Sequence, residues 1–320
     1  MDLVKLLEKA IERLPEGDHS GGLLAIMRHI SIAIRHFERR EEGDIDSFTD
    51  AVYRTNQAYE GSLKEAYRVL AGKDPSGKTP NEIEKYLEQN NIVRKRVLTQ
   101  LSRYRQDYRN PSAHDHKLDF DEDEAILAIV SVCAFAKLLI DQISEKLAFN
   151  KAVAVSSEVD IAHDILSDPV TFTDVVVQAA LNYANTMPRG ISYSEVEGGL
   201  AGKLSTLGVL AATDVIADHV DDPENWDMVA KYGDNTIPIE TRIVSSKPKP
   251  GEANGILYVA IGVNDNNYPA GLVILISAGN QKYKLFRTKL YDEYIYIISR
   301  YSKAEIEALP RVQEVELIAA

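Results

Sequence analysis

The sequence predicts an α-helical N-terminal domain followed by an α+β domain, and three observations carry this fold class. The chain has 320 residues, which is more than one small helical domain needs. Apolar residues recur every three or four positions through the first half, as on the buried face of a helix. After Thr236 the pattern changes to short apolar runs separated by turn residues, as in strands. We therefore expect two domains, residues 1–150 and residues 151–320.

Start and stop signals divide the first half into successive helices. Pro15-Glu16-Gly17 ends the first amphipathic stretch. A long helix can be capped by Asp44 or Asp46 and ends before Gly72. Thr79-Pro80-Asn81-Glu82 then has the pattern of a capping box with proline at the first helical position. These signals predict a helical bundle for residues 1–150.

A later helix of this bundle carries an apolar face beside a basic flank. Its apolar side chains recur at steps of four, four, three and four residues: Val93, Val97, Leu101, Tyr104 and Tyr108. Arg105 and Arg109 are four residues apart and share a flank of the same helix. We expect Pro111 to end the helix, because the residue before a proline disfavours the α conformation. Acids from Asp119 to Glu124 should open the last helix of the domain, where they suit the helix dipole.

The second half mixes helical and strand-like segments. Residues 161–230 are expected to be mainly helical, with a glycine-rich interruption at residues 197–202. Five strands are predicted, at Ile237–Val244, Ile256–Val263, Leu272–Ser277, Tyr283–Thr288 and Tyr294–Ser299. Ser302 should then cap a short helix. The pattern indicates a mainly antiparallel sheet with helices to one side.

Charge is unevenly distributed along the chain. The net charge of −13 argues against a non-specific nucleic-acid coat. Residues 94–109, however, hold six cations against the single acid Asp107. A local basic strip on an acidic protein suits a transient RNA substrate better than stable coating. A solvated helix face is the alternative interpretation of this strip.

Cysteine content and hydropathy indicate a cytoplasmic protein without a membrane partner. Cys133 is the one cysteine, so no disulfide forms within the chain, which fits a reducing compartment. We interpret it as a small buried hydrophobe. The N-terminus becomes amphipathic at once, so no signal peptide is expected. The apolar region Ile256–Ile276 is broken by polar residues and is too interrupted to cross a bilayer.

The segment Arg109-Asn110-Pro111-Ser112-Ala113-His114 carries the chemistry. Arginine offers a rigid fork of donors that matches phosphate oxygens, and histidine exchanges protons near neutral pH. RNA supplies its own nucleophile, the 2′-hydroxyl. Cleavage with no metal and no other cofactor would therefore use His114 for proton transfer and Arg109 to stabilise the phosphorane. Asn110 would fix the turn or hold the substrate.

This Arg-x4-His pattern, with asparagine directly after the arginine, resembles the signature of the HEPN superfamily, many of whose members are metal-independent ribonucleases. The resemblance covers residues 1–150, where the helix segment 53–60 precedes the motif and the apolar segment 125–147 follows it. It implies a homodimer that builds one composite site from two motifs. It also implies an acid on an earlier helix that pairs with Arg109. Glu60 is the best-placed candidate, and Glu65 is the second.

We therefore expect a regulated RNA endonuclease of the toxin or antiphage-defence type. Its predicted substrate-binding residues are Arg103, Arg105, Asn56 and His116. The second domain would act as a sensor, a regulator or a dock for a trigger, an antitoxin or another partner. Two alternatives stay open. The first domain could be a non-catalytic dimerisation and partner-binding scaffold, or the chain could be the accessory subunit of a nucleotidyltransferase.

Other candidate residues are interpreted as structural. His29 and His36 lie seven residues apart on one helix face and should pack at the edge of the core. Glu240-Thr241-Arg242 weakly resembles the carboxylate motif of metal-dependent nucleases. The usual lysine is replaced there, and no upstream Pro-Asp is evident.

Overall fold

The computed structural model describes residues 3–39, 46–93, 95–114, 117–156, 163–213 and 226–319. The chain divides into two compact units, Met1–Lys146 and Leu147–Ala320. The described part of the first unit is built from helices, and the second unit combines helices with a seven-stranded sheet. A mixed α and β architecture is therefore confirmed.

Seven α-helices start in the described part of the first unit. They are α1 (Leu3–Glu12), α2 (Ser20–Glu38), α3 (Asp46–Leu70), α4 (Pro80–Gln89), α5 (Lys95–Tyr104), α6 (Asn110–His114) and α7 (Glu122–Val155). The predicted capping box of α4 is confirmed. Thr79 Oγ1 accepts from the Glu82 backbone N–H at 3.3 Å, and Glu82 Oε2 accepts from the Thr79 backbone N–H at 2.9 Å.

The prediction that Pro111 ends the preceding helix is wrong. The chain leaves α5 through one π-helical turn, Arg105–Arg109, and continues as α6 with Pro111 at its second residue. In the π turn, the Asn110 backbone N–H donates to the Arg105 carbonyl, five residues earlier. This wider turn relieves the clash that a proline ring makes in a regular helix, and the first turn of α6 does not need the N–H that proline lacks.

Three buried aromatic rings fix the helices that precede and follow the motif. The Tyr59 and Tyr104 ring centroids lie 5.0 Å apart, and each lies 5.7 Å from the centroid of Phe135. These residues belong to α3, α5 and α7, so one cluster joins the three helices. Such ring pairs stabilise a core beyond the area that they bury. The end of α5, and with it the motif, is thereby set against α3.

Helix α7 is a core helix of strongly apolar composition. Among the described residues it is the one helix long and apolar enough to cross a membrane, with mean hydropathy 2.0 over an 18-residue window. Of that window, 56% is buried inside the fold, as expected for the central helix of a soluble domain. Cys133 is buried here as predicted, and burial raises the pKa of its thiol to about 12. A cytoplasmic location stays a prediction.

The helices of the second unit are α8 (His163–Ser167), α9 (Pro169–Thr186), α10 (Tyr193–Ser205), α11 (Ala253–Asn266) and α12 (Lys303–Glu307). The predicted cap of α12 by Ser302 is confirmed. The expected glycine-rich interruption at 197–202 is wrong, because these residues lie inside α10. A Cβ added at Gly202 would lie 2.6 Å from the Phe149 carbonyl oxygen, so this glycine permits close helix packing.

The strands of the second unit form one mixed sheet in the order β1-β2-β3-β4-β6-β5-β7. Their bounds are β1 (Leu210–Thr213), β2 (Met228–Tyr232), β3 (Asn235–Val244), β4 (Gly271–Ser277), β5 (Lys284–Leu290), β6 (Glu293–Ser299) and β7 (Glu316–Ala319). Strand β4 pairs in parallel with β3 and β6, and the other described pairs are antiparallel. The predicted segment 161–230 is therefore only partly helical.

Two expectations about the layers of this unit are wrong. The segment Ile256–Val263 is part of helix α11 instead of a strand, and it lies in the crossover between the parallel strands β3 and β4, a connection that is usually an α-helix. Helices also cover both faces of the sheet. Leu272 and Ile274 pack in the cluster with α9 and α10, whereas Val273 and Leu275 pack in the cluster with α11 and α12.

Candidate functional site

A cleft of about 420 Å³ lies where the motif meets α3 in the first unit. Its lining residues come from α2, α3, the π turn and α6: His36, Asp50, Tyr53, Arg54, Asn56, Gln57, Glu60, Arg109, Ser112 and Ala113. The cleft brings together Arg109, Glu60 and Asn56 of the predicted site residues. Arginine and amide side chains in one such cleft can bind an anion.

Arg109 is held at the wall of the cleft by Glu60. Its Nε donates to Glu60 Oε1 at 3.2 Å, and the two side chains are 27% and 28% exposed. This is the contact that the resemblance implied. Because this bond uses Nε, it leaves the two terminal nitrogens of the guanidinium, which borders the cleft, as further donors. Glu65, the second candidate, is buried and lies 3.6 Å from Arg68 instead.

A chain of hydrogen bonds fixes α6 against α3. Asn56 Nδ2 donates to Ser112 Oγ at 2.7 Å, and Ser112 Oγ donates to the Arg109 carbonyl at 3.0 Å. The Tyr53 hydroxyl donates to the Ser112 carbonyl at 3.3 Å. The hydroxyl of Tyr104, a residue of the aromatic cluster, lies 3.0 Å from Asn56 Oδ1. Asn56 is buried and its amide is engaged at both ends, so it positions the motif and does not fit the predicted substrate-binding role.

The other two predicted site residues of the motif, His114 and Asn110, lie at the end and the start of α6. His114 is the last residue of α6 and directly follows the lining residue Ala113. The side chain of His114 and the whole of His116 lie outside the described residues. Asn110 is half-buried at the start of α6, and its backbone N–H closes the π turn.

The two other predicted cations do not line this cleft. Arg105 Nε donates to Glu84 Oε2 at 2.7 Å, and the Tyr59 hydroxyl donates to the other carboxylate oxygen. Burial raises the pKa of Glu84, and the charge of Arg105 opposes that rise. Arg105 is thus committed to a protein acceptor, contrary to its predicted substrate-binding role. Arg103 is exposed on α5, and a direct role at the cleft does not fit this position.

Outside the motif, sequence reasoning missed five lining residues: His36, Asp50, Tyr53, Arg54 and Gln57. His36 was expected at the core edge with His29, but it lies on the cleft wall with Nδ1 3.9 Å from Asp50 Oδ2. His29 is half-buried, and burial lowers its pKa. A signal was present for α3, because its lining residues Asp50, Tyr53, Gln57 and Glu60 recur at steps of three, four and three. Such spacing puts polar side chains on one helix face.

The weak nuclease-like motif of the second unit is engaged in local contacts. Asp227 Oδ2 accepts from the Thr241 backbone N–H at 2.8 Å, and Arg242 pairs with Glu240. Burial, and then the neighbouring charge of Asp227, raise the pKa of Glu240 to about 7. Within the described ranges, no group of three or more histidine, cysteine or acidic side chains is arranged to hold a metal ion.

Comparison of the chain with protein-family models, curated proteins and solved structures finds no match. The relation to the HEPN superfamily therefore stays a prediction that rests on the motif and its helical setting.

Proposed function

We propose that the chain is a metal-independent RNA endonuclease with a HEPN-like first unit, and that the cleft between α3 and α6 is its active centre. The observation that carries the proposal is the position of Arg109. Glu60 orients its guanidinium at the cleft wall, while Asn56 and Tyr53 fix the helix that leads to His114. A preorganised cation of this kind stabilises charge that develops during phosphoryl transfer.

The proposed reaction uses the RNA's own 2′-hydroxyl as nucleophile. His114 removes its proton, the 2′-oxygen attacks phosphorus, and the P–O5′ bond breaks. Arg109 binds the phosphorane oxygens, and the leaving 5′-oxygen takes up a proton from the His114 of a second copy. The products are a 2′,3′-cyclic phosphate end and a 5′-hydroxyl end. Arg54, exposed at the same cleft, would contact the substrate backbone.

An exposed apolar stripe on α7 supports the homodimer that this reaction needs. Ile126, Leu127 and Val130 are 44%, 56% and 46% exposed. Contiguous exposed apolar side chains mark interaction surfaces, and α7 is the helix that follows the motif along the chain. The same stripe would serve a partner-binding scaffold, which is the second candidate function. The proposed defence role, with control by the second unit, rests on an analogy of domain architecture.

The test is cleavage by the purified full chain in EDTA, with analysis of the RNA ends. We expect fragments with 2′,3′-cyclic phosphate ends from the intact chain and from Lys85→Ala, which removes an exposed cation of α4. His114→Ala should leave the RNA intact. A strict need for a divalent metal, or equal cleavage by His114→Ala, would refute the mechanism. A dimer that binds but never cleaves RNA would favour the scaffold.

A further inference from the structure

The second unit contains its own polar cleft, of about 530 Å³, at one edge of the sheet. Strands β3, β4 and β6 are parallel neighbours and end at Val244, Ser277 and Ser299. The lining residues follow these three ends: Ser246, Ser277, Ala278, Gly279, Asn280, Gln281, Arg300, Tyr301 and Glu305. Open sheets that contain parallel strands bind ligands in the crevice outside the carboxyl ends of those strands. We name this feature the carboxyl-edge cleft.

The loops around the carboxyl-edge cleft are basic, although the second half of the chain is acidic. Residues 151–320 hold 14 Lys and Arg against 23 Asp and Glu. The loop segments 245–249, 278–283 and 300–302 nevertheless hold no acid and four cations, Lys247, Lys249, Lys282 and Arg300. Of these cations, Arg300 lines the cleft, and the charge of Lys247 acts on the lining residue Glu305. Such a concentration of positive charge favours an anionic ligand.

Glu305, the acid that lines the cleft, takes part in the cap of helix α12. Glu305 Oε2 accepts from the Ser302 backbone N–H at 2.7 Å and from Ser302 Oγ at 2.8 Å. These bonds hold the pKa of Glu305 below its usual value, and the charges of Lys284 and Lys247 act in the same direction. Its negative charge is therefore partly compensated before a ligand arrives.

Arg300 is held rigidly at this cleft and keeps donors to spare. One terminal nitrogen donates to the Ser277 carbonyl, and the guanidinium carbon lies 4.3 Å from the centre of the Tyr283 ring. Its Nε is buried and has no hydrogen-bond partner among the described residues. Arg189 donates to the Asn280 side-chain oxygen, which leaves the Asn280 amide nitrogen as a donor. A fixed guanidinium beside amide donors matches phosphate oxygens.

We propose that the carboxyl-edge cleft binds a small phosphorylated ligand of nucleotide size, with Arg300 and Asn280 contacting its phosphate. A volume of about 530 Å³ lies in the range of small-molecule sites. Neither the motif nor the α3–α6 cleft takes part, so the inference stands or fails independently of the nuclease proposal. A ligand at this position would make the second unit a sensor of a phosphorylated metabolite.

The test is calorimetric titration of the full chain with three probes. They are inorganic phosphate, an equimolar mixture of the four ribonucleoside 5′-monophosphates, and the matching mixture of nucleosides. We expect the monophosphates to bind at least tenfold more tightly than the nucleosides. Binding of inorganic phosphate at equal affinity would support the phosphate contact but overturn the proposed nucleotide size of the ligand. Absence of binding by both phosphorylated probes, or equal binding of nucleosides and monophosphates, would overturn the proposal.

Matched variants place the binding at this cleft. Ser246 is exposed in the first loop, so Ser246→Asp should weaken monophosphate binding at least tenfold by charge repulsion, whereas Ser246→Ala should bind as the intact chain does. Arg300→Gln should also lose binding. Arg311→Gln, which removes an exposed arginine outside the lining, should not. Equal affinity of Ser246→Asp and Ser246→Ala would contradict the assigned site without depending on the stability of Arg300→Gln.

Discussion

Two arginine–glutamate pairs lie side by side in the first unit, and they differ in what surrounds them. Arg105 and Glu84 are 2.7 Å apart, their side chains are 24% and 7% exposed, and Glu84 is also bound by the Tyr59 hydroxyl, so the two pairs differ mainly in the burial of the glutamate. Arg109 and Glu60 are 3.2 Å apart, are both more than a quarter exposed and border a cleft. The arginines are four residues apart and begin and end the same π turn.

The difference shows that two arginine–glutamate pairs can have different roles according to how deeply they are buried. A buried ion pair is costly to break, because the partner left behind is an uncompensated charge. A partly exposed pair contributes little to stability, so its guanidinium can exchange protein contacts for ligand contacts. We therefore assign Arg105 to the fold and Arg109 to the site, and the following variants test this division.

The largest effect is expected from Arg105→Ala. Loss of the guanidinium leaves the carboxylate of Glu84 buried without its cation, which should lower the free energy of unfolding by about 3–4 kcal/mol. Urea denaturation followed by circular dichroism measures this change. Arg103→Ala, which removes an exposed arginine of α5, is the control and should cost less than about 0.5 kcal/mol. Equal losses in the two variants would break the comparison.

Arg109→Ala should do the reverse. RNA cleavage should fall about 10²- to 10³-fold, as when one preorganised donor to a developing charge is removed. The free energy of unfolding should change by less than about 1 kcal/mol, because the pair with Glu60 is partly exposed. Initial rates and urea denaturation of the same preparation measure both quantities. A loss of stability as large as that of Arg105→Ala would make Arg109 another structural residue.

Glu60 should have a smaller effect, because it acts through Arg109. In Glu60→Ala the guanidinium loses its acceptor, and we expect kcat to fall about tenfold through poorer orientation. Glu60→Gln keeps an oxygen acceptor at the same distance and should recover most of this loss. Full kinetics of both variants separate kcat from KM. A fall of equal size in the two variants would point to the charge of Glu60 itself as the required feature.

The polar face of α3 could be predicted from sequence, and the path of the motif could not. Asp50, Tyr53, Gln57 and Glu60 follow a helical period, so their common face is a local property. The helix continues past Pro111 because a π turn precedes it. This turn is stabilised by the contact of Arg105 with α4 and the contact of Tyr104 with α3. Rules based on neighbouring residues cannot predict those contacts, because their partners are more than 20 residues away in the sequence.

The second unit shows the same limit on a larger scale. Ile256–Val263 is a continuous apolar run, and such a run fits a buried strand and a buried helix equally well. Pairing of β3 with β4 decides for the helix. The carboxyl-edge cleft also depends on pairing, since it joins the ends of β3, β4 and β6 only when these strands are neighbours. Each of its loops taken separately reads as an ordinary basic turn.

The pH dependence of stability gives the smallest and most specific test of the buried pair. Burial raises the pKa of Glu84 in the folded state above its ordinary value of 4.5. Below pH 4.5 the Glu84 carboxyl is protonated in both the folded and the unfolded state, and its contribution to stability is fully present. As the pH rises through the raised pKa, the folded state must ionise a buried carboxyl and that contribution is lost. Stability should therefore decline with rising pH over this window.

Glu84→Gln isolates this contribution, because the amide cannot ionise. Its free energy of unfolding should change less between pH 4.5 and pH 7 than that of the intact chain. Arg105→Gln should act in the opposite direction, since the charge of Arg105 opposes the rise in the pKa of Glu84. Without that charge, the decline should steepen and extend to higher pH. Parallel pH curves for the three proteins would mean that Glu84 is not coupled to Arg105, and the division between a structural pair and the proposed catalytic pair would lose its physical basis.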